Sequence, residues 1–303
     1  MKKFTIVLFF LALVQTLSAQ QQSLYSQYIF NLYTVNPAYA GSRDALSANL
    51  SYRAQWVGFE GSPKTQNFSI HSPLRKKNMA LGLQFQNDEI GARSATSISA
   101  TYAYTLNLGS GKKLNLGLQG GVINYAMDWN ALTYDERNDP TAWSIDPNRW
   151  IPNFDFGAMY LSPRSYIGFS ALNLSEPSLT DSDQSDARLR THLNLVGGKI
   201  FNISPTLDLK PGFLLRHDIG GTMQFDISLS ALLSNQFWFT ATYRHNFGMV
   251  ASAHVFITDK LHVGYAYDQT LNNMVTYQSG SHEIFVGYDM PIYKAAQIKP
   301  RFY

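Results

Sequence analysis

Three features that most soluble proteins have are scarce or missing in this chain. It has no cysteine, so disulfides, thiolate catalysis and a lipoprotein-type anchor are all excluded. Charged residues make up 15% of the sequence, below the roughly 25% of an ordinary soluble domain. Beyond about residue 14 there is no apolar run long enough for a membrane-spanning helix, which excludes a helical membrane protein.

A strong net charge is absent too. The formal net charge is +3, and removing residues 1–19 would also remove Lys2 and Lys3, leaving 22 basic and 21 acidic residues. A chain with this balance carries no broad basic surface, so we expect no nucleic-acid partner.

The first nineteen residues have the three parts of a secretory signal peptide. Lys2 and Lys3 form the positive end, residues 4–14 form a short apolar centre, and Ala19 supplies the small residue at the cut. The apolar centre is shorter than the roughly 20 residues that a spanning helix needs. We therefore predict export with cleavage near Ala19; the alternative is a short N-terminal anchor helix.

The chain is rich in aromatic residues, which make up 14% of the total. Several segments alternate apolar and polar residues with a period of two. In residues 97–108, Ile98, Tyr102 and Tyr104 share one face, and Thr101 lies on the other. Because a sheet can satisfy its backbone polar groups in lipid only as a closed barrel, we predict an all-β fold, a transmembrane antiparallel up-and-down β-barrel. A charge at Tyr102 or Tyr104 should then impair insertion more than a charge at Thr101.

Turn signals divide the mature chain into about 14 strands. Short connections follow even-numbered strands, as at 162–163 and 258–259, whereas the longest, 128–151 and 175–187, follow odd-numbered ones. Outer-membrane barrels show this asymmetry, so we predict that the short turns and both termini face the periplasm. The predicted division is a signal peptide at 1–19, an N-terminal plug or entry segment at 20–44, and a barrel with a short C-terminal tail at 45–303.

The entry segment carries a family resemblance. Residues 24–42 read LYSQYIFNLYTVNPAYAGS and do not alternate cleanly, so the segment either plugs the lumen or lines the periplasmic mouth. With the aromatic tail at 299–303, it resembles the PorP/SprF family, outer-membrane components of the Bacteroidota type IX secretion system. The resemblance makes six motif residues candidates for a structural or partner-contact role: Tyr28, Asn31, Asn36, Pro37, Ala38 and Gly41.

The resemblance also implies a function. Members of this family are barrels that support export, surface attachment or gliding-related display of a secreted protein. The implied partners are a secreted surface protein with a C-terminal sorting domain, other type IX secretion components and outer-membrane lipid. The alternative is an outer-membrane channel or a transporter of hydrophobic substrates of the fatty-acid type, because those transporters are also fourteen-stranded barrels with an N-terminal plug.

The sequence offers no constellation of catalytic residues. Its seven histidines show no metal-site spacing and no pairing with a nucleophile. His71 and Ser72 are neighbours in a strand and point to opposite faces, which disfavours an outer-membrane lipase. His262 and Asp268 share a face, where a hydrogen bond in the lumen is the simpler interpretation. We therefore predict a non-enzymatic protein without a metal or cofactor.

Several features leave alternatives open. Trp129, Trp143 and Trp150 in the longest loop either bind a partner or fold down to seal the barrel mouth. Acidic long loops and basic short turns indicate either a partner-binding rim or ordinary solvated turns. The paired glycines at 120–121 and 197–198 mark strand bends or close packing with the entry segment.

Overall fold

The computed structural model describes residues 25–43, 45–74, 78–128, 148–176, 178, 188–221 and 223–292. The predicted signal peptide with its cleavage site and the aromatic tail lie outside these ranges, as do Trp129, Trp143 and most of the acidic loop residues. No helix in the described part of the chain is long and apolar enough to cross a membrane.

The described residues form one antiparallel sheet that closes on itself. Its strands are β1 Ala45–Ala54, β2 Lys64–Pro73, β3 Met79–Ile90, β4 Arg93–Gly109, β5 Lys112–Met127, β6 Asn148–Ser162, β7 Ser165–Leu172, β8 His192–Lys199, β9 Phe201–Ser204, β10 Leu207–Asp218, β11 Met223–Leu233, β12 Phe237–Arg244, β13 Gly248–Phe256, β14 Leu261–Thr270 and β15 Ser281–Pro291.

Closure of the ring depends on the pairing of the first strand with the last. β1 pairs with β15 over its whole length, from Ala45 opposite Pro291 to Ala54 opposite His282. The short β9 pairs with β10 alone. It continues β8 along the same edge of β10, because Phe201 faces Leu209 in the same register in which Gly198 faces Gly212. The ring therefore has fourteen strands, which confirms the predicted β-barrel.

The two faces of the barrel are inverted relative to a soluble protein. In β4, Ile98 and Tyr102 are 52% and 43% exposed on the outside, whereas Thr101 is 2% exposed in the lumen. The same holds around the ring, where large apolar side chains point outward and buried polar ones point inward. A contiguous apolar exterior of this extent is stable only against another apolar phase, which for a closed barrel is lipid. The predicted face assignment is confirmed.

The connections at the two ends of the barrel differ in length. At one end, called the turn end, β4–β5 and β6–β7 are joined by two residues each, 110–111 and 163–164. The other end, called the loop end, carries the long connections after β5, β7 and β14. Three connections at the loop end are short nevertheless, those after β3, β10 and β12. The start of β1 and the end of β15 lie at the turn end.

Residues 25–43 fill the lumen and are called the plug. The plug contains three short 3-10 helices, η1 Tyr28–Phe30, η2 Leu32–Thr34 and η3 Pro37–Tyr39, and nearly all its side chains are buried. Of the two sequence-based alternatives for this segment, plugging the lumen is therefore the one observed.

The direction of the plug was not indicated by the sequence. The two chain ends, which we expected at the turn end, lie outside the described residues, but the backbone N–H of Ser26 donates to Glu283, the third residue of β15 from the loop end. Gly41, by contrast, donates to His71 near the turn end. The plug thus runs along the lumen from the loop end to the turn end, and the chain enters β1 only there.

Candidate functional site

The Asn36-Pro37-Ala38 motif builds the central part of the plug. The Asn36 side chain accepts a hydrogen bond from Ala38 N at 2.9 Å, and Pro37 occupies the first position of η3, so both residues start a helical turn in the usual way. The Asn36 amide also donates to the Phe169 carbonyl at 3.0 Å and, at 3.3 Å, to the Ala158 carbonyl. One side chain therefore caps its own turn and fixes that turn to β6 and β7.

Three glycines on neighbouring strands lie behind this motif, and we call them the glycine wall. Gly117 of β5 and Gly157 of β6 face each other across the strand pair, and Gly168 lies on β7. A Cβ on Gly117 would come within 2.5 Å of Ala38 N and the Pro37 carbonyl carbon, so no side chain fits there. The glycines allow the plug backbone to lie directly against the sheet. The glycine pairs that the sequence suggested, 120–121 and 197–198, pack instead against neighbouring strands.

We predict that Gly117→Ala destabilises the barrel by about 1–3 kcal/mol, because the atoms that the new methyl group meets are plug backbone and cannot swing aside. Urea unfolding in lipid vesicles measures the loss. Gly120→Ala on the same strand is the control, since its nearest neighbours lie 3.6 Å away on Phe154. Equal losses in the two variants would show that Gly117 does not seat the plug.

The other predicted motif residues also face the lumen. Tyr28 lies beneath the Arg216 guanidinium, whose carbon is 5.7 Å from the ring centroid, and the Asn31 amide donates to Ser69 at 2.9 Å. Gly41 has a φ of +68°, a left-handed conformation that favours glycine, at the bend before β1. All six motif residues thus lie in the plug and contact the inside of their own barrel.

Five charged side chains on the lumen wall form a buried cluster near the loop end, which we call the latch. Its members are Arg53 of β1, Asp226 of β11, Arg244 of β12, Asp268 of β14 and Glu283 of β15. Arg244 donates to Asp226 and to Asp268, each at 3.2 Å. Arg53 donates to Asp268 at 2.7 Å and to Glu283 at 3.4 Å. Each carboxylate therefore has a guanidinium partner, which buried charges require.

The latch holds the first described residues of the plug. Glu283 accepts from the backbone N–H of Ser26 at 2.7 Å and of Gln27 at 3.2 Å, and Asp268 accepts from the Ser26 hydroxyl at 2.7 Å. Arg244 donates to the Tyr25 carbonyl at 3.2 Å. The sequence pointed to His262 as a possible partner of Asp268, but Asp268 bonds to arginines and to the plug.

A second ion pair fixes the plug at the turn end. Arg43 donates to Asp289 at 3.1 Å and to the Tyr39 hydroxyl at 3.0 Å. His262 lies 3.9 Å from the same Asp289. The plug is therefore held by charged groups at both ends and by the glycine wall between them.

The plug separates two cavities. The loop-end cavity has a volume of about 110 Å³, and Tyr33, Thr34 and Pro37 of the plug line it together with polar residues of β3–β6. The turn-end cavity has a volume of about 240 Å³, and Gly41 and Ser42 line it. Residues of the plug thus form the inner wall of each cavity.

The described residues contain no group of three or more His, Asp or Glu side chains placed to hold a metal ion. His71 is buried at the end of the plug, where its Nδ1 accepts from Gly41 N at 3.2 Å, and Ser72 belongs to the other face of β2. Trp150, the one described member of the loop tryptophans, is 62% exposed on the outer face of β6. It neither seals the mouth nor lies in the lumen.

Comparison with known proteins settles the family. The family model described as "Type IX secretion system membrane protein PorP/SprF" matches residues 17–288. The chain belongs to the PorP/SprF family. No curated protein sequence matches this PorP/SprF chain significantly.

Solved structures similar to this PorP/SprF protein are outer-membrane barrels. The toluene transporter TbuX of Ralstonia pickettii has a TM-score of 0.52 and 8% identity, with 84% of this chain and 92% of that chain covered. The CymD monoaromatic hydrocarbon channel has a TM-score of 0.51 and 10% identity, with coverages of 92% and 96%. At such low identity the likeness shows the fold alone. Family and fold together place the protein in the outer membrane.

Proposed function

We propose that this PorP/SprF protein is a non-enzymatic outer-membrane component of the type IX secretion system that supports export, surface attachment or gliding-related display of a secreted protein. The family match over residues 17–288 carries the proposal. The partner we propose is a secreted surface protein with a C-terminal sorting domain, together with other components of the system.

The plugged lumen supports this function over bulk passage of a substrate. Asn36, Ala38 and the latch contacts hold the plug across the bore, and the cavities on its two sides are small. Since the motif residues face inward, we propose that they seat the plug and that the partner binds at a rim. The role of the plug in vivo would then be to keep a rim-binding barrel sealed.

The second candidate function is a channel or transporter for a hydrophobic substrate. The shared fold with two hydrocarbon-handling barrels favours it. The loop-end cavity is poorly matched to such a substrate, because its lining includes Gln84, Gln86, Asp88, Gln119 and Asp155.

Deletion of the gene is expected to release one large surface protein into the medium, because its attachment at the cell surface would be lost. Mass spectrometry of the medium and of the cell-surface fraction identifies that protein, and the wild-type gene should restore it to the surface. The Gly120→Ala variant, which leaves the plug contacts intact, should restore it equally. An unchanged surface proteome combined with a growth defect on one hydrophobic nutrient would contradict the proposal and support the transporter.

A further inference from the structure

The plug is bonded to the barrel through side chains. Its own backbone hydrogen bonds are local, such as Asn31 N to Tyr28 O at 3.0 Å and Ala40 N to Pro37 O at 3.2 Å. Within the described ranges, no backbone group of residues 25–42 bonds to the backbone of a strand. Every hydrogen bond between plug and wall therefore passes through a side chain, and the plug can leave without breaking a strand pairing.

The two ends of the plug are held differently. The end near β1 continues directly into the barrel. The centre of the plug lies with its backbone against Gly117, and the Ala38 carbonyl oxygen accepts a hydrogen bond from the Asn115 amide at 3.2 Å. The other end is bonded to the latch by polar groups, which water can replace, and its apolar side chains pack in the lumen core. Phe30 stacks on the His254 ring, with the two ring centroids 3.5 Å apart, and Tyr28 and Ile29 are buried beside it.

We propose that the plug is a releasable gate that opens from the latch end. When the latch bonds to Ser26 and Gln27 break, residues 25–31 leave the wall first, while Asn36–Gly41 remain seated on the glycine wall. Opening of this half empties the part of the lumen beside the latch, while Pro37 and Gly41, which line the two cavities, stay in place. A fourteen-stranded ring without its plug is wide enough for an aqueous path, since barrels of about eight strands are already filled by side chains alone. This gate does not depend on which proposed function is correct.

The absence of cysteine makes a reversible lock possible. Ser26 and Asp268, whose side-chain oxygens are 2.7 Å apart at the latch, are replaced by cysteines (S26C/D268C) in a chain that also carries Arg53→Ala to weaken the latch. We expect ion-conducting events in planar bilayers from the reduced protein and their loss after oxidation. The Arg53→Ala variant without the cysteines should conduct under both conditions, and the wild type should stay closed. Identical conductance of the reduced and oxidised proteins would overturn the gate.

Hydrogen exchange on the unmodified protein provides a second test that needs no variant to fold. The amides of Asn31 and Ala40 make the same kind of local bond, to the carbonyl three residues before each. We expect the Asn31 amide, in the half near the latch, to exchange faster than that of Ala40, beside the glycine wall. Equal protection of the two amides would mean that the plug moves as one body or not at all, and would overturn opening from the latch end.

Discussion

Replacing Arg244 with alanine is expected to destabilise the folded barrel by about 3–5 kcal/mol, because Asp226 and Asp268 would stay buried without the cation they share. Asp268 would keep Arg53 as its cationic partner, whereas Asp226 would keep the Gln224 amide at 3.5 Å and the more distant Arg216, 4.0 Å away. Urea unfolding in lipid vesicles, followed by tryptophan fluorescence, measures the free energy of unfolding.

The matched control for Arg244→Ala is Lys112→Ala. Lys112 is an exposed cation at the turn end, so its removal should change stability by no more than about 0.5 kcal/mol. Adding Asp226→Asn to Arg244→Ala removes the orphaned charge and should restore part of the lost stability. If Arg244→Ala cost no more than Lys112→Ala, the latch would not be a buried network.

A charge on the outer face should destabilise the barrel almost as much as Arg244→Ala does. Tyr102 is 43% exposed near the middle of β4, where hydrocarbon surrounds the barrel. Tyr102→Arg is therefore expected to cost about 2–4 kcal/mol of folding free energy in the bilayer. The fraction of protein that inserts into vesicles, read from the gel mobility of the folded barrel, reports the same loss.

The lumen control for Tyr102→Arg has to be chosen from the structure. Thr101, the neighbour that the sequence suggests, is hydrogen-bonded to the Tyr33 hydroxyl of the plug at 2.6 Å, so an arginine there would meet the plug. Ser99 is the better comparison, because it lines the loop-end cavity. Ser99→Arg should insert far better than Tyr102→Arg, and equal insertion would mean that the assignment of faces is wrong.

The barrel could be predicted from the sequence because its signals are local. Alternation with a period of two assigns the faces in strands such as β4 and β14, and short turn sequences mark where the strands end. Each of these signals occupies a few consecutive residues, and strand pairing between sequence neighbours then gives the whole ring. The closing pair, β1 with β15, follows from the requirement that no sheet edge be left open in lipid.

The plug contacts could not be predicted, because they join residues far apart in the chain. Arg53 and Asp268 are separated by 215 positions, and no local pattern indicates which lumen-facing charges will pair. The direction of the plug was missed for the same reason, since it depends on Glu283 binding Ser26. A usable signal was nevertheless present: Gly117, Gly157 and Gly168 each stand at a lumen-facing position, where a missing side chain indicates that another backbone lies close.

The most direct test of the barrel uses single cysteines introduced one at a time at positions 97–104 of this cysteine-free chain. Each cysteine is labelled with an environment-sensitive fluorophore, and quenching by spin-labelled lipid is measured in reconstituted vesicles. Strong quenching at 98, 100, 102 and 104, with weak quenching at the positions between them, is the predicted result. Quenching that does not alternate along β4 would contradict a membrane-embedded barrel with its plug inside.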